Sequence, residues 1–382
     1  MSTLQGWPDL PDDLLHSIVP RLGSFLDLPA FAAACSSWRA AFSSYPSKHT
    51  LLQMLPPLLL QPDVHECPPR PRPFSNSLVP KHSCHVTDLA NQGTYMRCQI
   101  PWFSHFGESK SPQSPLDSSY FGGVSYGHLI LFNQNQSCLV IDVFTGVSFS
   151  TPKLPVDENT FLDHASLTAP LASPNSYLMV TKGRHYFFWR VGSKYWLRRS
   201  LHNGTIEKVM VFKGQIFGMD NDCRLIIMNL VPRIRIQKIT VDPGESMHNK
   251  WHLPHPWLVA CGDMLLLVGC HRSFPSTGDT FEAFRLDLTS EPAKWVKVEK
   301  LENWAIFIST DDRSQPLCCM NPERWGGRSN FIYFYFHDSN NWINFELDKP
   351  LQGNASTPTI FICRGRASMM QPTWVVPSMF YS

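Results

Sequence analysis

One short motif in the sequence has the form of a nucleophilic serine site. Gly123-Val-Ser-Tyr-Gly127 matches the G-x-S-x-G pattern, in which a strained turn between a strand and a helix exposes the serine hydroxyl. The residues before it, 111–120, are typical of a loop, and residues 128–132 form the apolar run of a strand. A tight turn that enters a β-hairpin explains both glycines. We therefore favour a structural role for Ser125 and keep a hydrolase that uses it as an alternative.

A second group has the residue types of metal ligands. His65, Cys67, His82, Cys84 and His85 follow one another closely in the sequence. Zinc sites bring such ligands as closely spaced pairs on a tight turn, whereas here the members of each pair are one residue apart and prolines separate the pairs. The sequence also lacks a phosphate-binding glycine loop and a dinucleotide fingerprint. We predict no metal and no other cofactor.

An acidic neighbourhood completes the candidate chemistry. Glu299, Glu302, Asp311 and Asp312 lie within one short stretch. A general acid and base pair needs two carboxyl groups in different environments, so that their pKa values separate. We predict a solvated rim or turn for this stretch, and hence a chain without catalytic residues of its own.

Composition excludes several functional classes. The chain has 382 residues, 43% hydrophobic and 17% charged, with a formal net charge of +2. This is the composition of a globular protein large enough for a small module and one large domain. No basic run stands out, so we do not expect nucleic acid as a partner. The longest apolar candidate for a membrane helix, 257–270, is interrupted by Gly262 and Asp263.

The sequence also indicates a compartment. Its first residues lack the basic and then apolar layout of a signal peptide. The eleven cysteines are scattered and odd in number, which predicts free thiols rather than a disulfide framework. We expect a protein of the cytoplasm or the nucleus, with no membrane partner.

The first fifty residues carry a dense helical pattern. Leu14, Ile18 and Leu22 recur at steps of four, and a second apolar series from Leu28 to Phe42 follows at steps of three and four. Pro11 stands where the first helix would begin, with carboxylates in its first turn. A unit this small cannot bury so much apolar surface by itself. The pattern therefore predicts short helices that need a packing partner.

The rest of the chain has the pattern of an all-β domain. Short apolar runs separated by turn residues extend from about residue 80 to the end, with glycine-containing turns at Gly127, Gly183, Gly214 and Gly262. Each turn opens a predicted hairpin, and residues 330–336 and 342–347 form a further one. Hairpins over about three hundred residues predict six or seven blades, because a propeller blade takes roughly 40–50 residues. A β-sandwich or two stacked β domains are the alternative.

These observations give the predicted organisation. Residues 61–80 are rich in proline, which fixes the backbone angle and removes an amide donor, so they predict a stiff linker. We assign residues 5–50 to a helical module, 51–79 to the linker and 80–382 to the β domain. The predicted fold class is α+β multidomain: a small all-α module followed by a large all-β domain, a six- or seven-bladed β-propeller.

The helical module resembles the F-box. The matching features are Leu10-Pro11 at the entrance, the Leu14-Leu15 pair, and the Ser37-Trp38-Arg39 triplet. In that family the motif docks on the Skp-type adaptor of a cullin-based ubiquitin ligase. The resemblance implies that the adaptor is bound by Leu10, Pro11, Leu14, Leu15, Ile18, Leu22, Leu28, Phe31 and Trp38. The alanine-rich residues 30–34 depart from the family, where bulkier side chains are common.

The β domain is similar to that of plant F-box proteins with a large, propeller-like C-terminal domain. The matching pieces, in the family's order, include Gly122-Gly-Val-Ser-Tyr-Gly-His-Leu, Trp189-Arg-Val-Gly-Ser-Lys-Tyr-Trp196 and Pro372-Thr-Trp-Val-Val-Pro-Ser378. The resemblance implies a plant protein that binds a target for ubiquitination and catalyses nothing itself. A propeller scaffold that acts without the ligase is the alternative.

The target-binding residues are the least defined. Five of the twelve tryptophans lie in strand-like runs, where we expect them to fill the core: Trp189, Trp196, Trp295, Trp304 and Trp342. Aromatic side chains dominate binding hot spots, and Trp251 and Trp257 fall in an irregular segment rich in histidine and proline. We name these two as candidate exposed contacts for the target.

Overall fold

The structure is a computed structural model that describes residues 6–62, 84–91, 95–98, 119–157, 160–201, 205–220, 224–231, 233–242, 253, 255–271, 280–336, 341–350 and 370–381. Short helices come first in these ranges, and strands follow throughout the remainder. In this part of the chain no helix is long and apolar enough to cross a membrane.

The helical module begins where proline and acidic residues favour it. The helices are α1 (Asp12–Ile18), α2 (Asp27–Ala34), α3 (Ser36–Ser44) and α4 (Lys48–Met54). Pro11 precedes α1, and Asp12 and Asp13 occupy its first turn, where carboxylates stabilise the positive end of the helix dipole. Cys35 is extended and separates α2 from α3. Each helix turns apolar residues inward, and the buried ones include Leu15 of α1, Leu28 and Phe31 of α2, Ala41 of α3, and Leu51 and Leu52 of α4.

Six sheets follow, each with four or five strands, and four of them are purely antiparallel. Three strands come first in the chain, β1 (Leu58–Pro62), β2 (Cys84–Thr87) and β3 (Tyr95–Cys98). Blade 1 contains β4 (Tyr120–Ser125), β5 (His128–Phe132), β6 (Cys138–Asp142) and β7 (Ser148–Ser150). Blade 2 contains β8 (His164–Leu167), β9 (Tyr177–Lys182), β10 (His185–Arg190) and β11 (Leu197–Ser200). Blade 3 contains β12 (Ile206–Phe212), β13 (Gln215–Asp220), β14 (Leu225–Asn229) and β15 (Arg235–Lys238).

The last blades are less regular. Blade 4 contains β16 (Val241–Asp242), β17 (Trp257–Cys261), β18 (Met264–His271), β19 (Thr280–Asp287) and β20 (Ala293–Val298), and blade 5 contains β21 (Trp304–Ile308), β22 (Leu317–Met320), β23 (Phe331–Phe336) and β24 (Asn341–Glu346). Two strand pairs are parallel, β16 with β20 and β21 with β23. The fold is a six-bladed propeller, as the sequence predicted, and each predicted hairpin forms.

The sixth blade joins strands that are far apart in the sequence. β25 (Thr373–Val375) pairs with β1, and β1 in turn pairs with β2. The register places Leu59 opposite Trp374, and both side chains are buried. Because this sheet takes strands from both sides of the other five blades, it closes the ring.

One predicted boundary was wrong. Residues 51–79 were assigned to a linker, but 51–54 belong to α4 and Leu58–Pro62 is strand β1. Leu58, Leu59 and Leu60 are almost fully buried, so this apolar run is part of the propeller core. The prolines at 56 and 57 end the helix instead of opening a linker. Residues 63–79 lie outside the described ranges.

Candidate functional site

The residues predicted to bind an adaptor divide into two groups. Leu15, Leu28 and Phe31 are at most 5% exposed and belong to the apolar cluster that the module shares with the propeller. The second group consists of Pro11 and Leu14, which are exposed, and Leu10, Ile18, Leu22 and Trp38, which are partly exposed and pack against the edge of that cluster. We call this second group, together with Trp7, the module face.

Trp7 was not among the predicted residues, yet its side chain is 74% exposed, and that of Leu14 is 52% exposed. Trp38 Nε1 donates a hydrogen bond of 3.0 Å to the Trp7 carbonyl, and Ser37 Oγ donates one of 2.7 Å to the Pro8 carbonyl. The Trp38 ring also packs on Phe31, with 4.6 Å between ring centroids. The short 3-10 turn Trp7–Asp9 is therefore fastened to α3 and presents Trp7 to solvent. The Trp-Pro-Asp sequence was the signal for this turn.

Cys35 lies at the junction of α2 and α3 beside this face. The Ser37 hydroxyl lies 3.2 Å from its sulfur. That hydroxyl, followed by the Trp38 backbone N–H, lowers the pKa of the Cys35 thiol, because both stabilise the thiolate. The module thus carries one partly exposed cysteine whose sulfur is more acidic than an ordinary thiol.

The helical module rests on the sixth blade and its neighbours. The Phe25 and Phe42 rings lie 5.1 and 5.9 Å from the Phe380 ring. Ser24 Oγ donates a hydrogen bond to the buried carboxylate of Asp88, and Arg324 donates one to the Pro20 carbonyl. Module and propeller residues form one continuous apolar cluster. The propeller is therefore a packing partner of the module's inward side, whereas Trp7 and Leu14 of the module face are exposed.

The propeller axis holds a second candidate site. Residues 309–316, which we call the axial loop, connect β21 to β22. Arg313 is 4% exposed and Asp311 is fully buried, with Arg313 Nη2 2.7 Å from Asp311 Oδ2 and Arg313 Nε 2.9 Å from Oδ1. Arg313 Nη1 also donates to the Phe121 carbonyl at 2.7 Å. The prediction of a solvated acidic rim was wrong for Asp311, because its charge is neutralised inside the ring.

A small polar cavity lies beside the axial loop. It is lined by residues of β8, β12, β17 and the loop, among them His164, Lys208, Trp257, Asp312 and Ser314. Lys208 Nζ and Asp312 Oδ2 are 3.4 Å apart. His164 Nδ1, Trp257 Nε1 and Ser314 Oγ are buried without a hydrogen-bond partner among the described residues. Burial lowers the pKa of His164 to about 4, against the opposing attraction of Asp312. The free space, about 20 Å³, is large enough for one water molecule.

Trp257 was predicted to be an exposed contact, and this was wrong. Its side chain is 2% exposed and packs edge-on against Phe334 with 6.2 Å between centroids. Trp257 begins β17, so the strand turns its ring into the core between blades 4 and 5. Trp251 lies outside the described residues.

Ser125 does not have the environment of a nucleophile. It ends β4, is 2% exposed, and its Oγ accepts a 2.8 Å hydrogen bond from the Leu167 amide. His128 lies opposite it across the Tyr126-Gly127 turn, but its Nδ1 lies 2.8 Å from the Tyr126 carbonyl and its Nε2 is 3.8 Å from Asp142. The motif joins two strands instead of a strand and a helix. Both glycine positions have positive φ, which explains the motif without catalysis.

The histidines and cysteines with the side-chain types of metal ligands lie mostly outside the described ranges. His65, Cys67 and His82 lie outside the described residues, and Cys84 and His85 lie on β2. Within the ranges that the structure covers, no group of three histidine, cysteine or acidic side chains could hold a metal ion.

Known proteins share features with this chain. The sequence profile of the KIB1-4 beta-propeller family matches residues 99–357. An Arabidopsis thaliana protein named "Putative F-box protein At3g25750" is 20% identical over 372 residues, which cover 92% of this chain and 94% of that one. The N-terminal domain of Nup159 is 9% identical with a TM-score of 0.33, and the match spans 56% of each chain. Kluyveromyces marxianus Hsv2 is 10% identical with a TM-score of 0.31, over 57% of this chain and 78% of that one. Neither structural similarity bears on function.

Proposed function

The chain belongs to the KIB1-4 beta-propeller family, and we propose that it is the substrate-recognition adaptor of a Skp–cullin–F-box ubiquitin ligase. In this proposal the module face binds the Skp-type adaptor and through it the cullin. The propeller binds a target protein. The plant relative, whose name describes an F-box protein, supports this assignment.

The observation that carries the proposal is the division of the module into two sides. Leu15, Leu28 and Phe31 face inward and are buried, whereas the neighbouring Leu14 of α1 is 52% exposed. The propeller already covers the inward side. Exposed apolar side chains gathered on one small face are typical of a protein-binding surface.

An adaptor of this kind needs no catalytic group of its own. It raises the effective concentration of a target lysine near the activated ubiquitin. The buried position of Ser125 agrees with a non-catalytic role. Cytoplasm or nucleus is the compartment that we expect, because the ubiquitin ligase machinery operates there.

A binding assay with a matched pair of variants tests the proposal. Leu14→Asp places a charge on the module face, and Leu288→Asp places one at a propeller position with similar exposure, 48%. We expect the full chain to bind a purified Skp-type adaptor, Leu14→Asp to weaken binding at least about tenfold because an anchor is lost, and Leu288→Asp to bind as wild type. Equal binding by both variants contradicts the assignment of the module face.

A propeller scaffold that works without the ligase is the second candidate. The alanine-rich segment 30–34 favours this candidate, because Ala30, Ala33 and Ala34 are exposed and offer little apolar area to an adaptor. No measurable binding of wild-type chain to any Skp-type adaptor would support this candidate over the first.

A further inference from the structure

The hairpin formed by β10 and β11 concentrates positive charge. Residues 182–200 contain six lysines and arginines and no acidic residue, although the whole chain has 33 basic and 31 acidic residues. Five of the six are exposed: Arg184, Arg190, Lys194, Arg198 and Arg199. We call them the basic edge. Aromatic and other uncharged residues separate most of these charges in the sequence, so they do not form a continuous basic run.

The basic edge is not neutralised by the protein itself. Within the described residues, none of the five cations forms an ion pair with a carboxylate. Arg198 lies over the Phe187 ring at 5.9 Å, and its Nη2 is 3.1 Å from the His185 ring. Arg199 Nη1 donates to the Arg198 carbonyl at 2.8 Å. These charges therefore have no carboxylate partner within the described residues, so an anionic partner gains the attraction that the fold leaves unused.

The same hairpin also presents a free strand. β11 is at the end of its sheet, in the order β11-β10-β9-β8. All four of its residues are exposed, and its outer edge pairs with no strand in the ranges that the structure describes. An edge strand offers unpaired backbone N–H and C=O groups, to which an extended segment can add. Leu197, the first residue of β11, is 44% exposed, and Tyr195, two residues before it, is 73% exposed; both provide apolar contacts.

We propose that the basic edge and β11 together bind an extended acidic segment of a protein partner, which adds as a further strand to blade 2. Consecutive residues of β11 face opposite sides of the sheet, so Arg198 and Arg199 place a cation on each side. A segment with acidic residues on both of its faces therefore matches the surface. The backbone edge favours a peptide over a nucleic acid, which has no strand to add. Only the identification of this partner with the ligase target rests on the proposed function.

A peptide-binding measurement tests the inference. The probe is a fluorescein-labelled peptide of about ten residues, long enough to span the strand, with glutamate and valine in equal numbers. A control peptide carries proline in place of valine, so it has the same charge but cannot pair as a strand. Fluorescence anisotropy is measured with the full chain, with an Arg198→Glu and Arg199→Glu variant, and with a matched variant, Arg285→Glu and Lys300→Glu, whose reversed charges are exposed on blade 4.

We expect the probe to bind wild type and the blade 4 variant alike, to bind the Arg198 and Arg199 variant at least about tenfold more weakly, and to lose affinity as ionic strength rises. The proline control should bind much less than the probe. Equal binding by the two variants overturns the site. Equal binding of the two peptides overturns the inference of strand addition. Tighter binding of a single-stranded oligonucleotide of the same charge than of the probe overturns the inference that the partner is a protein. None of these results depends on the Skp-type adaptor, so failure here is distinct from failure of the proposed function.

Discussion

Replacement of Arg313 by methionine should destabilise the propeller more than any surface change. Asp311 is 0% and Arg313 is 4% exposed, and two hydrogen bonds of 2.7 and 2.9 Å join their side chains. Without the guanidinium, the Asp311 carboxylate stays buried with no counter-charge. Breaking a buried pair in this way costs about 3–5 kcal/mol.

The paired variant separates charge from packing. Removing both groups, as Asp311→Leu with Arg313→Met, leaves no unpaired charge, and replacement of buried pairs by apolar residues of similar volume is often neutral. Arg313 also donates to the Phe121 carbonyl at 2.7 Å, and loss of that bond costs about 1 kcal/mol. We therefore expect the double variant to lose only about 1–2 kcal/mol, less than the single Arg313 variant.

Urea unfolding monitored by tryptophan fluorescence measures these differences through the shift of the midpoint at constant slope. Lys182→Met is the control, since it breaks an exposed pair at 3.9 Å from Asp163 and should change stability by less than about 1 kcal/mol. If Arg313→Met were no worse than Lys182→Met, or if the double variant were less stable than the single one, the account of the axial loop would be refuted.

Three further outcomes follow from other contacts. Phe380→Ala removes the ring on which Phe25 packs and should lower the free energy of unfolding by about 3–5 kcal/mol. Limited proteolysis should then cut the helical module first. Uniform cutting along the chain would contradict the role of Phe380 in holding the module on the propeller. The folded His164 pKa of about 4 lies below its ordinary 6.5, so the unfolded chain binds more protons between pH 4 and 6.5, and the free energy of unfolding should fall as the pH falls through this range, by up to about 1.4 kcal/mol per pH unit. His164→Gln should give a flatter dependence of stability on pH. An unchanged dependence would refute the assignment to His164. Iodoacetamide should modify Cys35, whose pKa is lowered, before Cys138, whose pKa burial raises to about 12, as peptide mass spectrometry can show; the reverse order contradicts both.

Local patterns were sufficient for the helices and for the blades. The spacing of Leu14, Ile18 and Leu22 located α1 and the turn after it, and glycines such as Gly183, at a φ of 54°, marked the hairpin turns. Period and turn chemistry are properties of neighbouring residues, so a single sequence carries them. The same locality explains why Leu58–Pro62 was misassigned, since its partner β25 lies more than three hundred residues later in the chain.

The candidate sites required contacts that no local pattern contains. Asp311 was predicted to lie on a solvated rim or turn, whereas the fold buries it against Arg313, which donates to the Phe121 carbonyl. Trp257 read as exposed because its segment is irregular, whereas the blade packing buries it. In the helical module, the spacing of apolar residues predicted which positions form the apolar stripes. It could not predict which of these positions the propeller covers. Such information arises only when distant elements meet.

The sixth blade has a mechanical consequence. Its β1 follows the helical module directly, and the Phe380 turn beside β25 supports the module from below. The module is therefore attached to the blade that closes the ring, both through the chain connection to β1 and through side-chain contacts with the propeller. A rigid mounting fixes the distance and direction from any ligand on the propeller to any partner on the module face. In a ubiquitin ligase, this fixed distance would select which lysines of a bound target are modified.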